Sequence, residues 1–321
     1  MTGERKVLIF DALNVFIRAY AAYPQMNVNG EQMGGLIGTL KTIRRLVAEV
    51  QPSRAYVCWE TGGSTKRRAL FSDYKKHRKP GRLNRFYDDD IPESDENRKF
   101  QQACLVNALK HVPVCQVYVP DCEGDDVVAY LCKGPFNDRE KVIVSSDHDM
   151  WQLIDDKTIV YNLHKKVYVT ADNVYELHKI SSRNFAVAKA LAGDNSDNIP
   201  GVKGVGLKSA AKYFPMLGTD SDVLLEDVFN YAASHRGHLK VYDNVLEAKD
   251  DVIRNYRLVY LSNTTLSSEQ ARRVNAFVER DVPKTNKLGL MRDLIKNGIN
   301  DFDIDGFFYA FNCIDVNTKS E

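Results

Sequence analysis

Two aspartates three residues apart, Asp194 and Asp197, stand directly before a turn with three glycines in the stretch GDNSDNIPGVKGVG, residues 193–206. Carboxylates repel phosphate, whereas a glycine-rich turn that bares backbone N–H groups attracts it. A stretch that does both calls for a divalent cation between the two charges. Other acids fit the same pattern. Asp11, Glu60 and Asp147 each end or closely follow an apolar run, and Glu123 follows a fourth. With Asp125 and Asp149 these make eight candidate carboxylates, and Asp126 is a ninth. Packed together without counter-charge, most of them would have to hold a proton. Two Mg2+ or Mn2+ ions, hard cations that take oxygen ligands, resolve that conflict. Singly, each piece has a plainer role, since an aspartate after a strand is ordinarily a helix N-cap or a turn former. The coincidence of four acids at strand ends with a fifth pair beside a phosphate-type turn points to metal-assisted chemistry.

The elements that must position these acids can be read from the apolar pattern. KVLIFDA (6–12), RAYVCWE (54–60), VCQVYVP (114–120), KVIVSSDHD (141–149) and TIVYNL (158–163) read as buried strands. Residues 34–50, 96–112 and 124–133 have helical spacing. Strand–helix alternation predicts an α/β fold with a mostly parallel central sheet and flanking helices. In such a sheet the acids share the carboxyl edge, where ligands bind in open α/β folds. After about residue 180 the pattern turns helical, with helices expected over 184–193, 207–214, 224–234, 242–261 and 287–298. The expected organisation is an α/β core over 1–180 and a mostly helical part over 181–321.

Charge is segregated although the net charge is only +1. Between Lys66 and Arg85 nine Lys/Arg face one acid, Asp73, and an acidic run follows. This stretch mixes cations such as Arg67, Lys75, Arg78 and Arg82 with Phe71, Tyr74, Phe86 and Tyr87. Aromatics that stack on bases beside cations that follow the backbone suit single-stranded nucleic acid. Around the glycine turn, Gly201, Gly204 and Gly206 permit close approach of a phosphate backbone, and Lys203, Lys208 and Lys212 add positive charge. Such contacts carry no base information. Six cysteines form no C-x-x-C pair, which argues against a zinc site and for buried thiols in a reducing, cytoplasmic setting. No apolar run approaches a membrane span, and the N-terminus has no signal-peptide pattern.

The segments LIFDALN, RRALFSDYKKHRKPGR, CEGDDVVAYL, VIVSSDHDMWQLI and LAGDNSDNIPGVKGVGLKSA resemble the structure-specific 5′ nucleases, the flap endonuclease and 5′–3′ exonuclease family. The likeness is to bacteriophage members and to the N-terminal nuclease domain of bacterial DNA polymerase I, over roughly residues 5–215. It implies a PIN-like core, a helical arch at about 64–100 and a helix–hairpin–helix at about 185–215, the latter often with bound K+. It implies two metal sites, one from Asp11, Glu60, Glu123 and Asp125, the other from Asp147, Asp149, Asp194 and Asp197. Tyr74–Lys75 falls at the family's tyrosine–lysine pair, and Arg67 and Lys75 fall where basic residues approach the scissile phosphate. Tyr74, Arg78, Arg82, Gly201, Lys203, Gly204, Gly206 and Lys208 are then the expected DNA contacts. Two departures stand out: Glu60 replaces a common aspartate, and CEGDD replaces YEADD, putting Cys122 in place of an aromatic.

The implied activity is divalent-metal-dependent hydrolysis of phosphodiesters in branched or 5′-ended DNA, with RNA primers in RNA–DNA hybrids as further substrates. The protein is expected to act as a monomer, within a bacterial host cell if phage-encoded, with replication proteins docking on its C-terminal segment. One alternative is an inactive binder of branched DNA, against which the retention of all eight carboxylates argues. The other is a phosphatase using Asp11 as nucleophile, against which Leu13 argues, because such enzymes carry an acid there.

Overall fold

The computed structural model describes residues 5–76 and 95–314. Six strands form one sheet: β1 Val7–Asp11, β2 Arg54–Trp59, β3 Cys115–Tyr118, β4 Lys141–Val144, β5 Thr158–Asn162 and β6 Val167–Val169. Their order is β3-β2-β1-β4-β5-β6, with β1 to β5 parallel and β6 antiparallel. Val7, Leu8, Ile9 and Phe10 of central β1 are at most 1% exposed, which accounts for a continuous apolar run rather than an alternating one.

The chain winds outward from β1 through β2 to β3, then returns to β4 on β1's other side. The sheet's switch point therefore lies between β1 and β4, where open α/β sheets form a crevice beyond the carboxyl ends. Asp11 is the last residue of β1 and pairs with Cys58 of β2. Glu60 follows β2, Glu123 follows β3 and Asp147 follows β4, so the four acids emerge along one edge.

The helical part begins with Ala171–His178 and Phe185–Ala192. The turn at 201–206 then leads into the helix Leu207–Tyr213, the expected helix–turn–helix. Two side chains hold this part in register. Asn255 donates its amide to the carbonyls of Ala190 (3.1 Å) and Pro200 (2.7 Å). Gln152, just past the β4 loop, donates to the Val259 carbonyl and accepts from the Leu261 N–H. The acids after β4 and those before the glycine turn are thereby fixed to one another.

The structure departs from the sequence expectations at several places. The single helix expected over 242–261 is two, Lys240–Glu247 and Lys249–Val259, broken at Ala248. The helix Ala12–Ala22 and the short strand β6 were not expected. Among the described residues after 267 the expected helix, Lys287–Lys296, is joined by two more, Ser268–Val278 and Ile304–Tyr309. They pack back on the α/β layer, where Asn27 donates to the Asn297 carbonyl (3.0 Å) and His111 meets Asp293 (3.0 Å). Among the described residues no helix is long and apolar enough to cross a membrane.

Candidate active site

Asp11 caps the helix Ala12–Ala22, accepting from the Asn14 N–H (3.2 Å) through one carboxylate oxygen. Its other oxygen accepts from the Ser145 hydroxyl (2.8 Å), and Ser145 in turn accepts from the Asp147 N–H (3.0 Å). Asn14 accepts from the Ser146 N–H (2.9 Å), so the ends of β1 and β4 are locked together. Asp147 caps the 3-10 helix His148–Leu153 through the Asp149 N–H (2.9 Å). These caps are the ordinary roles of such aspartates, yet they leave carboxylate charge in a buried crevice.

Burial pushes the Asp11 carboxyl up to about 6 from an ordinary 3.8, and the Asp147 and Glu60 carboxylates push the same way. Burial also raises Asp125 well above its ordinary value, reinforced by Asp11, Asp147 and Glu123. Asp11, Glu60, Asp125 and Asp147 are thus mutually repelling groups at one place.

Glu123, Asp149, Asp194 and Asp197 have cation partners. Glu123, 3% exposed, accepts from the Lys75 ammonium (2.8 Å) and the Tyr74 hydroxyl (3.0 Å), with the Arg67 guanidinium at 3.4 Å. Tyr74 also reaches Asp197 (3.3 Å), and Lys75 lies 3.9 Å from it. Burial works against charge on Lys75, but Glu123, Asp197 and Asp125 hold the ammonium protonated. Lys75 adopts a left-handed backbone (φ 56°), fixed by its N–H to the Asp197 carbonyl (2.9 Å). A lysine held in that region marks a position where geometry outweighs backbone preference.

Lys189 is the second matching cation. It is 4% exposed and bridges Asp149 and Asp194, the latter at 2.6 Å. Burial lifts Asp149 to about 6. Burial opposes ionisation of Asp194 too, but Lys189 and the Ser196 donors hold it below the usual range. Sequence reasoning missed Lys189. The available signal was a lone lysine inside the otherwise apolar helix FAVAKALA, whose only stable position is one paired with buried acid.

The eight expected carboxylates come to one region, and contacts link the two expected sets of four. Asp197 shares Tyr74 and Lys75 with Glu123, and Asp147 acts on Asp11 and Asp125. Among the described residues, no three of His, Cys, Asp or Glu are placed around one ion. The donor set fits a hard divalent cation nonetheless. It is all oxygen, it carries excess negative charge, and Mg2+ needs only one or two carboxylates because it keeps several waters.

Three further expectations are corrected. Arg67 is 5% exposed and forms a two-pronged pair with Asp126 (2.6 and 2.7 Å) while its Nε–H donates to the Leu258 carbonyl (2.9 Å). Its donors are spent on the fold, and Asp126 is spent with them, so Arg67 positions Glu123 and the neighbouring helix rather than meeting a phosphate. Tyr74 is 6% exposed and packs with Ile199, Leu258 and Val259, so its ring cannot stack on a base. Gly201 is a packing glycine: a Cβ there would lie 2.0 Å from the Ala192 carbonyl oxygen. Gly204 (φ +88°) and Gly206 have open space, and Lys203 and Lys208 are exposed beside them. Arg78, Arg82, Phe86 and Tyr87 lie outside the described residues.

A pH dependence follows from Asp11. Its folded-state value, near 6, lies above its ordinary 3.8. The folded protein therefore holds the proton more tightly, a contribution complete below about pH 4 and lost as pH rises through about 6. A two-unit shift corresponds to about 3 kcal/mol. Urea unfolding of the metal-free protein should give a lower midpoint at pH 7.5 than at pH 5, and Mg2+ should raise the pH 7.5 midpoint. A midpoint at pH 7.5 that is higher without metal and indifferent to Mg2+ would contradict the charge excess.

Residues 6–179 match the family model for the 5′-3′ exonuclease N-terminal resolvase-like domain, and residues 180–276 match that for the 5′-3′ exonuclease C-terminal SAM fold. A 5′-3′ exonuclease of Bacillus subtilis is 30% identical over 84% of this chain and 91% of its own length. Flap endonuclease Xni of Shewanella woodyi is 30% identical over 79% of this chain and 92% of its own. DNA polymerase I of Bacillus subtilis is 26% identical over 80% of this chain, which spans only 28% of the polymerase. The 5′-exonuclease of bacteriophage T5, solved with bound zinc, shares the fold with a TM-score of 0.68 at 20% identity, over 86% of this chain and 99% of that one.

Proposed function

This chain belongs to the 5′–3′ exonuclease family, and on that premise we propose that it hydrolyses phosphodiesters in branched or 5′-ended DNA at the carboxylate cluster between β1 and β4. The reading is carried by one observation: eight carboxylates from five separate segments meet at the sheet's carboxyl edge, where burial and their mutual repulsion raise Asp11 and Asp125. Asp11, Glu60, Asp125 and Asp147 would hold a divalent cation, and Glu123 and Asp197 would adjoin it. Bound there, Mg2+ or Mn2+ supplies a more acidic water and neutralises charge on phosphate and leaving oxygen. A second ion is proposed at Asp149 and Asp194, where Lys189 now balances the charge.

The chain's own groups divide the remaining work. Lys75 lies against the cluster, 2.8 Å from Glu123, and keeps 20% side-chain exposure, so it is placed to meet phosphate charge as it grows. Tyr74 orients Lys75 by holding the same two carboxylates and stays protonated there, because burial and those charges disfavour a phenolate. Ser145 and Asn14 fix the rotamer of Asp11 and the loop after β4. Gly204 and Gly206, flanked by Lys203 and Lys208, offer an open turn to a duplex backbone without reading its sequence.

Lys75→Ala tests the division. Cleavage of a 5′-flap duplex in Mg2+ should fall by about 10²- to 10³-fold, the order given by loss of one transition-state donor. Duplex binding should change little. Wild-type rates in Lys75→Ala would remove the cation from the chemical step, and absence of cleavage by the wild-type protein would remove the function itself.

A further inference from the structure

A second concavity, about 860 Å3, adjoins the carboxylate cluster across the Arg67–Asp126 pair. Arg67 and Asp126 line it, while Arg67 also reaches Glu123 (3.4 Å), so the two sites share a wall one ion pair thick. None of the eight carboxylates lines this cavity. Its volume is that of a site for a small organic ligand.

Its lining has a distinct chemistry. Tyr256 and Tyr260 stack with ring centroids 4.9 Å apart and planes 19° from parallel. Tyr260 is 40% exposed, so the stack ends in a reachable aromatic surface. Lys66 and Arg257 also line the cavity and are exposed. Among the described residues neither is in an ion pair. The two acids in the lining are already engaged: Asp126 with Arg67, and Asp121 with the Thr65 N–H (2.8 Å) and hydroxyl (2.6 Å). The cavity therefore joins an extendable aromatic stack to two cations that have no ion-pair partner among the described residues.

A planar ring with anionic groups on its tether satisfies both features. Inside a duplex base faces are covered by neighbouring pairs, whereas an unpaired nucleotide can enter a cavity and offer a whole face to Tyr260. Base–aromatic stacking tolerates any sequence, and cations follow the phosphates. We propose that this cavity receives an unpaired nucleotide of the cleaved strand, its base stacked on Tyr260 and its phosphates facing Lys66 and Arg257. The inference rests on the nuclease reading, because it is that reading which brings a DNA strand to the shared wall.

The test uses the full chain in EDTA, where no turnover occurs, with a duplex bearing a 5′ single-stranded tail and the same duplex made blunt. 2-Aminopurine is placed at successive tail positions. In the wild-type protein one tail position should be quenched on binding, and Tyr260→Phe should keep the quench. Tyr260→Ala should lose it and bind the tailed duplex about tenfold more weakly, the order set by one stacked base, with blunt-duplex binding unchanged. Lys66→Ala and Arg257→Ala should each reduce the salt dependence of tail binding by about 0.7 in log–log slope. An unchanged quench and affinity in Tyr260→Ala, or an equal loss on tailed and blunt DNA, would overturn the proposal. Mg2+-dependent cleavage by the wild-type protein separates the two readings. If it cleaves the tailed duplex while Tyr260→Ala binds the tail normally, only the cavity assignment fails. If it does not cleave, the nuclease reading fails and this proposal falls with it.

Discussion

Asp125→Asn should abolish cleavage and at the same time stabilise the metal-free protein above neutral pH. The two effects have one cause. Asp125 is raised well above its ordinary value by burial and by Asp11, Asp147 and Glu123, so the metal-free fold disfavours its ionised form. Asparagine keeps the shape and removes the charge. The apparent Tm of the metal-free variant should exceed that of the wild type at pH 8, and the difference should shrink as the pH is lowered. Mg2+ should raise the Tm of the wild type more than that of the variant. Cleavage of a flap duplex should drop by about a thousandfold or more, since several kcal/mol of metal-supplied stabilisation are at stake. A variant that is less stable than wild type at pH 8 would show that Asp125 serves the fold, not a cation.

Arg67→Ala should be the most destabilising single change in the site region. Truncation leaves Asp126 and Glu123 as buried carboxylates with half their partners gone, and it frees the Leu258 carbonyl. Breaking a buried pair of this kind costs about 3–5 kcal/mol. Arg67→Lys should recover little of it, because one ammonium cannot reproduce the fork that spans both oxygens of Asp126. Denaturant unfolding of the two variants checks this. Cleavage should fall as well, but through displaced Glu123 and Lys75, and 5′-flap binding should weaken with it. Near-native stability in Arg67→Ala would return the guanidinium to the role first expected of it, at the phosphate.

Much of this molecule is legible in its sequence because the relevant signals are local. The buried parallel strands read as unbroken apolar runs, and Asp11, Glu60, Glu123 and Asp147 read as acids at their ends. A parallel sheet then requires those acids to share an edge. The glycine turn is legible for the same reason, although Gly201 and Gly204 are indistinguishable by type and serve opposite purposes, one for close packing and one for an open backbone. What the sequence hides is pairing. Arg67 and Asp126 are 59 residues apart, and nothing local says that they spend each other's charge. Tyr74 looks like a base platform until Ile199 and Leu258 bury its ring. Lys189 is read as part of an apolar helix, and only the packed structure shows it between Asp149 and Asp194. The division of the acids into two metal sets depends on side-chain distances of a few ångströms, which residue spacing does not define.

The central claim is that a divalent cation at the β1–β4 crevice makes this chain a 5′ nuclease. The most direct measurement is cleavage of a 5′-flap duplex, labelled at the flap end, by wild-type protein and Asp125→Asn in Mg2+ and in EDTA. The wild type should cut near the branch in Mg2+ alone, with binding retained in all four conditions. Equal cutting in EDTA, or equal cutting by Asp125→Asn in Mg2+, would contradict it.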